Sequence, residues 1–429
     1  MRVGKVMRIT PLDGWAGEMT GGDLAGYQLR KLNETLLAAQ SGIYYRRTLP
    51  GRVESLSDLR LLPTIDSETL TQNGTGLVCV PQDAISRVVT LTTSGSTGAP
   101  KRIYFTEEDQ ELTIDYFANG LQTVVKPGET MAILMPCERP GGVGDLIARS
   151  LKRIPVSSVR YGLVSDLAPC AEMLGSRKPE ALVGMPVQVL ALARYCEAMG
   201  IKTGISAVLL SADHIPDIAR RELRRIWGCR VYEHYGMTEM GLGGAIDCDA
   251  HDGYHIREND LLFEILDEKG SPLADGVFGE VAFTTLTRRG MPLIRYRTGD
   301  ISCMLPGRCG CGSELRRIAP IRGRIGRDIV ADCGTVIRMR DFDEVLFTMP
   351  CTSDFRLTAS PRENLLKIEI EVQESIGKSS AEEITKLLQK SGLTGGLKVE
   401  IDITNRPNAL SQWAGKRTVL SHSTQQSST

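Results

Sequence analysis

The sequence predicts an α/β chain: a large N-terminal part of parallel-type α/β units, a small β subdomain, then a small α+β domain. Three observations carry this. From about residue 80 to 240 short apolar runs alternate with helical patterns, the signature of strands buried by helices on both faces. Between about 255 and 305 the pattern shortens into hairpin-like segments, and the last hundred residues read strand, strand, helix, strand. A length of 429 residues also exceeds what one hydrophobic core serves, so more than one domain is expected.

In chain order, Met131–Met135, Ala181–Gly184 and Ala207–Leu210 are continuous apolar runs of strand length. Helices are expected over Val187–Met199 and over Asp217–Trp227, the latter with a basic exposed face. In the β subdomain, Leu261–Leu266 and Glu280–Thr285 flank a turn at Asp275-Gly276. Near the C-terminus, Phe355–Ala359, Leu365–Val372 and Leu397–Ile403 read as strands and Ala381–Lys390 as a helix. The expected divisions are residues 1–325, 326–420 and a polar, disordered tail 421–429. No repeat of solenoid or propeller length is present.

Composition excludes some partners. A formal net charge of -1 and a pI near 6.6 give no electrostatic footprint for nucleic acid or an anionic membrane. No apolar run reaches the roughly 20 residues of a membrane span, and Met1-Arg2-Val3-Gly4-Lys5 opens no signal-type block. Eleven cysteines, an odd count without a compact framework, suit a reducing cytoplasm.

The segment Thr92-Thr93-Ser94-Gly95-Ser96-Thr97-Gly98-Ala99-Pro100-Lys101 follows the apolar run Val88–Leu91. Small hydroxyl residues and glycines let a backbone approach an anion closely, and the lysine adds positive charge, so this reads as a phosphate-handling loop. It is not a Walker A loop, since Pro100 separates Gly98 from Lys101; the plain alternative is a solvated surface connection. A second constellation is metal-like. Cys248 and His255 are separated by six residues, and Cys309 and Cys311 flank one glycine. Three thiolates and an imidazole are the ligand set of a closed, structural Zn2+ site; the alternative is free thiols in loops. His251 is a competing ligand, and Cys303 reads as core.

The loop is followed by Tyr235-Gly236-Met237-Thr238-Glu239, Tyr296-Arg297-Thr298-Gly299-Asp300, Gly323-Arg324 and Gly415-Lys416. In that order these resemble the core motifs of the adenylate-forming superfamily of acyl-CoA synthetases, adenylation domains and luciferases. Within it, Tyr44-Tyr45-Arg46, Leu59-Arg60-Leu61-Leu62-Pro63, the Cys248 to His255 stretch, the residues from Met291 to Thr298 and Leu305-Pro306-Gly307-Arg308-Cys309-Gly310-Cys311-Gly312 look like the phenylacetate-CoA ligase family. The resemblance covers roughly residues 40–345 well and the last stretch poorly.

The resemblance implies an ATP-dependent, AMP-forming ligase that turns a small carboxylic acid into an acyl-adenylate and then a coenzyme A thioester, often as a homodimer. It implies that Thr93, Ser94, Gly95, Ser96, Thr97, Gly98 and Lys101 close over the triphosphate and that Glu239, after Gly236 and Thr238, helps hold Mg2+. It further implies that Asp300 accepts from the ribose hydroxyls and that Arg324 reaches the nucleotide. Ser211, Ala212 and Asp213 would line the adenine pocket, with Tyr235 against the base. Some members carry the Cys, His, Cys-x-Cys set for zinc. In the superfamily a mobile C-terminal domain delivers a lysine; here only Lys416 resembles it, with Arg417 following at once rather than later. At the hinge Arg327 stands where an acidic residue is common, with Asp328 displaced by one. Residues 332–339 replace the family's post-hinge segment, leaving thiol specificity open. Two alternatives fit those departures: an adenylyltransferase acting on a deazaflavin without coenzyme A, or a nucleotide-binding protein without turnover. Glu138 and Arg139 stand on the family's acid-binding side and admit a polar acid as readily as an aryl one.

Overall fold

The Ser/Thr/Gly segment interrupts an antiparallel pair: Arg87–Leu91 runs against Lys101–Phe105 with Leu91 opposite Lys101, so the two ends of the loop are held together. The computed structural model describes residues 23–91, 100–406, 408–410 and 417–421. Thr93, Ser94, Gly95, Ser96, Thr97, Gly98 and Lys416, and the tail from 422, lie outside the described residues. No helix among those described is long and apolar enough to cross a membrane.

The chain divides into two units: one formed by residues 1–128, 138–157 and 232–323, the other by 129–137, 158–231 and 324–429. In the first, Leu261–Leu266, Gly279–Thr285 and Tyr296–Ser302 form an antiparallel meander. Its inner face packs Phe263, Phe283 and Tyr296 with Tyr45, Leu32 and Leu36 into one core. Register is regular on one side and broken on the other: Glu280 faces Ile301, but Ala282 faces Arg297. Three residues, Thr298-Gly299-Asp300, therefore oppose Val281 alone, a bulge that bends the strand and re-aims its side chains. Gly299 has φ +80°, where a Cβ would be strained. The bulge is closed by hydrogen bonds: Thr298 Oγ1 donates to Val281 O at 2.8 Å and Gly299 N donates to Glu280 Oε1 at 2.9 Å.

Arg295 has φ +50° and is buried. It makes a two-pronged pair with Glu264, both contacts at 3.0 Å, and donates to the carbonyls of Leu62 and Gly270 at 2.7 and 2.8 Å. A buried guanidinium needs this many acceptors, and here they tie the 291–298 segment to the 60–62 backbone. The helix Glu107–Gly120 starts on a capping box in which Thr106 and Asp109 satisfy each other's backbone. A run of very short antiparallel strands completes the unit: Ala245–Ile246 pairs with Tyr254–Ile256, which pairs with Arg317–Ile318, which pairs with Met304–Leu305.

In the second unit, Thr130–Leu134, Ala181–Gly184 and Ala207–Leu210 are parallel neighbours, with Met131 opposite Ala181 and Ala181 opposite Ala207. The helices Leu167–Arg177, Pro186–Ala198 and Asp217–Trp227 follow them, as the continuous apolar runs require. The C-terminal part of this unit pairs Thr352–Ser360 antiparallel with Leu365–Gln373, and the latter parallel with Lys398–Arg406. The helix Ala381–Ser391 makes the crossover that a parallel pair needs. Arg194, 2% exposed on Pro186–Ala198, donates to the carbonyls of Phe347, Met349 and Thr352, fastening this sheet's edge to the helix layer.

Candidate functional site

Within the first unit, Lys101, Tyr235, Gly236, Thr238, Glu239 and Asp300 fall on neighbouring elements. Tyr235 ends the strand Arg230–Tyr235, Gly236 leaves it, and Thr238 and Glu239 form the first turn of the short 3-10 helix Thr238–Met240. A Cβ on Gly236 would come 2.0 Å from Leu242 O, so no other residue fits that turn. Lys101 opens its strand with its side chain inward, and its ammonium pairs with Glu239 Oε1 and donates to Ser67 Oγ at 3.2 Å. Tyr296 donates to the same Glu239 oxygen at 3.2 Å. Both ends of the ion pair are buried, the side chains 9% and 4% exposed.

Burial alone would push the Glu239 carboxyl up, but the Lys101 ammonium, with the Tyr296 hydroxyl, holds it below its ordinary value. Asp300, carried on the bulge, accepts from Tyr235 OH at 2.9 Å, and its backbone N–H donates to Thr298 Oγ1 at 3.0 Å. Tyr235 is thus held edge-on, its ring against Phe263 at 6.5 Å and its hydroxyl on a carboxylate. A hard carboxylate beside a cation, and a second carboxylate with an oriented phenol, form a set suited to a polyphosphate, a divalent ion and a vicinal diol.

The four predicted metal ligands also converge. Cys248 follows the strand Ala245–Ile246, His255 sits within Tyr254–Ile256, and Cys309 and Cys311 lie on the turn between Met304–Leu305 and Arg317–Ile318. Their donor atoms all lie within 4.8 Å of one another, with Cys248 Sγ to Cys309 Sγ at 3.5 Å and Cys311 Sγ to His255 Nε2 at 3.4 Å. Tetrahedral zinc with thiolate bonds of about 2.3 Å spaces its sulfurs roughly 3.8 Å apart, so the cluster has the size for that ion. His255 Nδ1 lies 3.2 Å from Leu315 O, the outer partner that orients a ligating imidazole. The competing His251 instead pairs its Nδ1 with Asp247 Oδ2 at 2.6 Å. Cys303 is buried, as read.

Of the remaining predicted residues, Ser211, Ala212, Asp213 and Arg324 belong to the second unit and Glu138 and Arg139 to the first. Ser211, Ala212 and Asp213 follow the strand Ala207–Leu210; Ser211 N donates to Gly184 O at 3.1 Å, and Ala212 has φ +76°, an unusual state for a residue with a Cβ. Arg324 is half-buried in the strand Gly323–Arg324. Next to Lys416 in sequence, Arg417 lies buried between Phe347 and Phe355, 5.2 and 4.5 Å from the ring centres. It pairs with Asp343 and, at 2.9 Å, with Asp354, while its backbone N–H donates to Asp213 at 3.4 Å. Burial alone would pull the Arg417 guanidinium down; Asp343 and Asp354 hold it above its ordinary value. Burial pushes the carboxyls of Asp343 and Asp354 up to about 6 even with Arg417 opposing it. Glu138 and Arg139 are exposed. Ser67 and Arg288, both touching the Lys101–Glu239 region, were not singled out by sequence; neither stands in a recognisable string.

Comparisons with known proteins bear on the family and the fold. The phenylacetate-coenzyme A ligase of Thermus thermophilus is 26% identical over 362 residues, covering 80% of this chain and 79% of that protein. That of Escherichia coli K12 is 27% identical over 372 residues, covering 82% and 83%. Among solved structures, 2-hydroxyisobutyryl-CoA ligase in its postadenylation state aligns with a TM-score of 0.77 at 20% identity, covering 94% of this chain and 90% of that one. The same enzyme with 2-HIB-AMP and CoA in the thioesterification state aligns with a TM-score of 0.66. These place the α/β fold among acyl-CoA ligases. The AMP-binding enzyme family matches residues 50–286, more than half of the chain, and the chain belongs to that family.

Proposed function

We propose that this protein is an ATP-dependent, AMP-forming ligase joining a small carboxylic acid to coenzyme A. The acid and ATP give an acyl-adenylate and pyrophosphate; the thiol then displaces AMP. The observation that carries the reading is the pair of buried carboxylates, Glu239 on Lys101 and Tyr296 and Asp300 on Tyr235, in a chain of the AMP-binding family.

The roles follow from the chemistry. Lys101 neutralises phosphate charge with the loop Thr93–Gly98, and Glu239 supplies one of the one or two hard protein ligands that Mg2+ usually takes beside substrate phosphates. Bound there, the ion would stabilise the departing pyrophosphate. Asp300, oriented by Tyr235, accepts from the ribose hydroxyls, and Ser211, Ala212 and Asp213 border the adenine. Arg324 reaches the nucleotide, and Lys416 balances charge developing as the adenylate forms. Cys248, His255, Cys309 and Cys311 would hold a structural Zn2+ that pins the short strands; four protein donors leave no place for water, so the site takes no part in the reaction. Residues 326–420 act as the mobile C-terminal domain, and a cytoplasmic homodimer completes the proposal.

The test is product analysis with ATP, Mg2+, coenzyme A and a panel of aryl, branched hydroxy and dicarboxylic acids. AMP and acyl-CoA should appear in equal amounts with at least one acid. AMP attached to another acceptor, or ATP consumed without thioester, would sink the reading.

A further inference from the structure

Arg288 is a cation that stands in no recognisable sequence string. It is 7% exposed and lies over the ring of Phe105, its guanidinium carbon 4.4 Å from the ring centre. One terminal nitrogen donates to Glu239 O at 2.6 Å and the other to Tyr104 O at 3.2 Å. Tyr104 and Phe105 end the strand that Lys101 begins, and Glu239 lies on the 3-10 turn. A single guanidinium therefore ties together the backbones that carry the two members of the buried ion pair. Its own position is fixed from behind. The Asp109 carboxylate accepts from Arg289 N at 2.8 Å and Gly290 N at 3.0 Å while also closing the cap of the helix Glu107–Gly120. Among the described residues the Nε of Arg288 has no partner, and Arg288 lines a cavity of about 20 Å³ with Arg257, Asp109, Asp260 and Met240, room for a bridging water.

We infer that Arg288 is a positioning residue for Glu239: it sets the distance between the Glu239 turn and the Lys101 strand, and so the site's response to magnesium. The inference rests on the proposed role of Glu239. Arginine suits the task because its planar fork meets two carbonyls at once and stacks on an aromatic face, which a lysine cannot do together. Without it, the buried Glu239 carbonyl and the half-buried Tyr104 carbonyl lose this donor and the turn relaxes.

The test is calorimetric titration of α,β-methylene ATP, with and without Mg2+, into the full chain and its Arg288→Met, Arg288→Lys and Glu239→Gln variants, with melting midpoints beside it. For Arg288→Met the affinity gained on adding Mg2+ should fall roughly tenfold, the worth of a charged hydrogen bond, with the Mg2+-free affinity unchanged. Arg288→Lys, which keeps the charge and one donor, should recover part of the gain and gives the reading if Arg288→Met does not fold. A lowered melting midpoint with the full Mg2+ gain retained in Arg288→Lys and Arg288→Met, while Glu239→Gln loses it, overturns the inference alone. Retention of the gain in Glu239→Gln overturns the role of Glu239 and the inference with it.

Discussion

Lys101 and Glu239 stand 138 positions apart in the chain and meet as a buried ion pair, with Ser67 and Tyr296 as the further partners. Removing one partner strands the other charge in the interior, at a cost of about 3 kcal/mol or more. Lys101→Met should therefore destabilise the fold by that order in denaturant unfolding, and adding Glu239→Gln should recover part of the loss. Simple additivity of the two substitutions would count against a coupled pair. Because the folded Glu239 carboxyl sits below its unfolded value, its contribution is present above about pH 4.5 and lost as pH falls through the folded value. Glu239 and Asp300 were legible in the sequence because each lies in a contiguous string whose order could be matched. Arg288 and Ser67 were not, since what they touch lies 49 and 34 residues away and no local pattern marks it. Arg295 was quoted within a motif, yet its work is structural, holding Glu264 and the 60–62 backbone.

The elements whose apolar pattern is long were read almost to the residue. Ala181–Gly184, Ala207–Leu210, Leu261–Leu266 and Asp217–Trp227 occur with the bounds expected, because continuous apolar runs of buried strands and a strongly amphipathic helix leave an unmistakable pattern. The strands of two or three residues, Ala245–Ile246, Tyr254–Ile256, Met304–Leu305 and Arg317–Ile318, were invisible, since such short pieces have no periodicity. The Cys248, His255, Cys309 and Cys311 cluster, which lies on and beside these strands, was legible through residue type and spacing. Metal analysis of the purified chain should find roughly one zinc per molecule, and Cys309→Ser should lower the melting midpoint by roughly 10 °C. A chain free of zinc that melts like the variant would remove the structural role. The bulge at Thr298-Gly299-Asp300 escaped the sequence reading: the string pointed to a carboxylate but not to the three-against-one register that aims it.

Over the whole molecule the candidate residues divide by unit: Lys101, Tyr235, Glu239 and Asp300 in the first, Ser211, Ala212, Asp213, Arg324 and Arg417 in the second. The second unit contains a charge cluster with its own pH signature. Asp343 and Asp354 titrate near 6 when folded, above the 3.8 of an ordinary aspartate, so the folded state binds more protons between those values. Stability should accordingly rise as pH falls from 7 toward 5, relative to an Asp343→Asn, Asp354→Asn double variant, in which this dependence disappears; denaturant midpoints at the two pH values decide it. The central claim is acid activation through an adenylate, and acid-dependent exchange of labelled pyrophosphate into ATP tests it most directly. Exchange should require the acid and Mg2+ but not coenzyme A, and should fall at least a hundredfold in Glu239→Gln. Binding of ATP with no exchange for any acid in the panel would contradict the account.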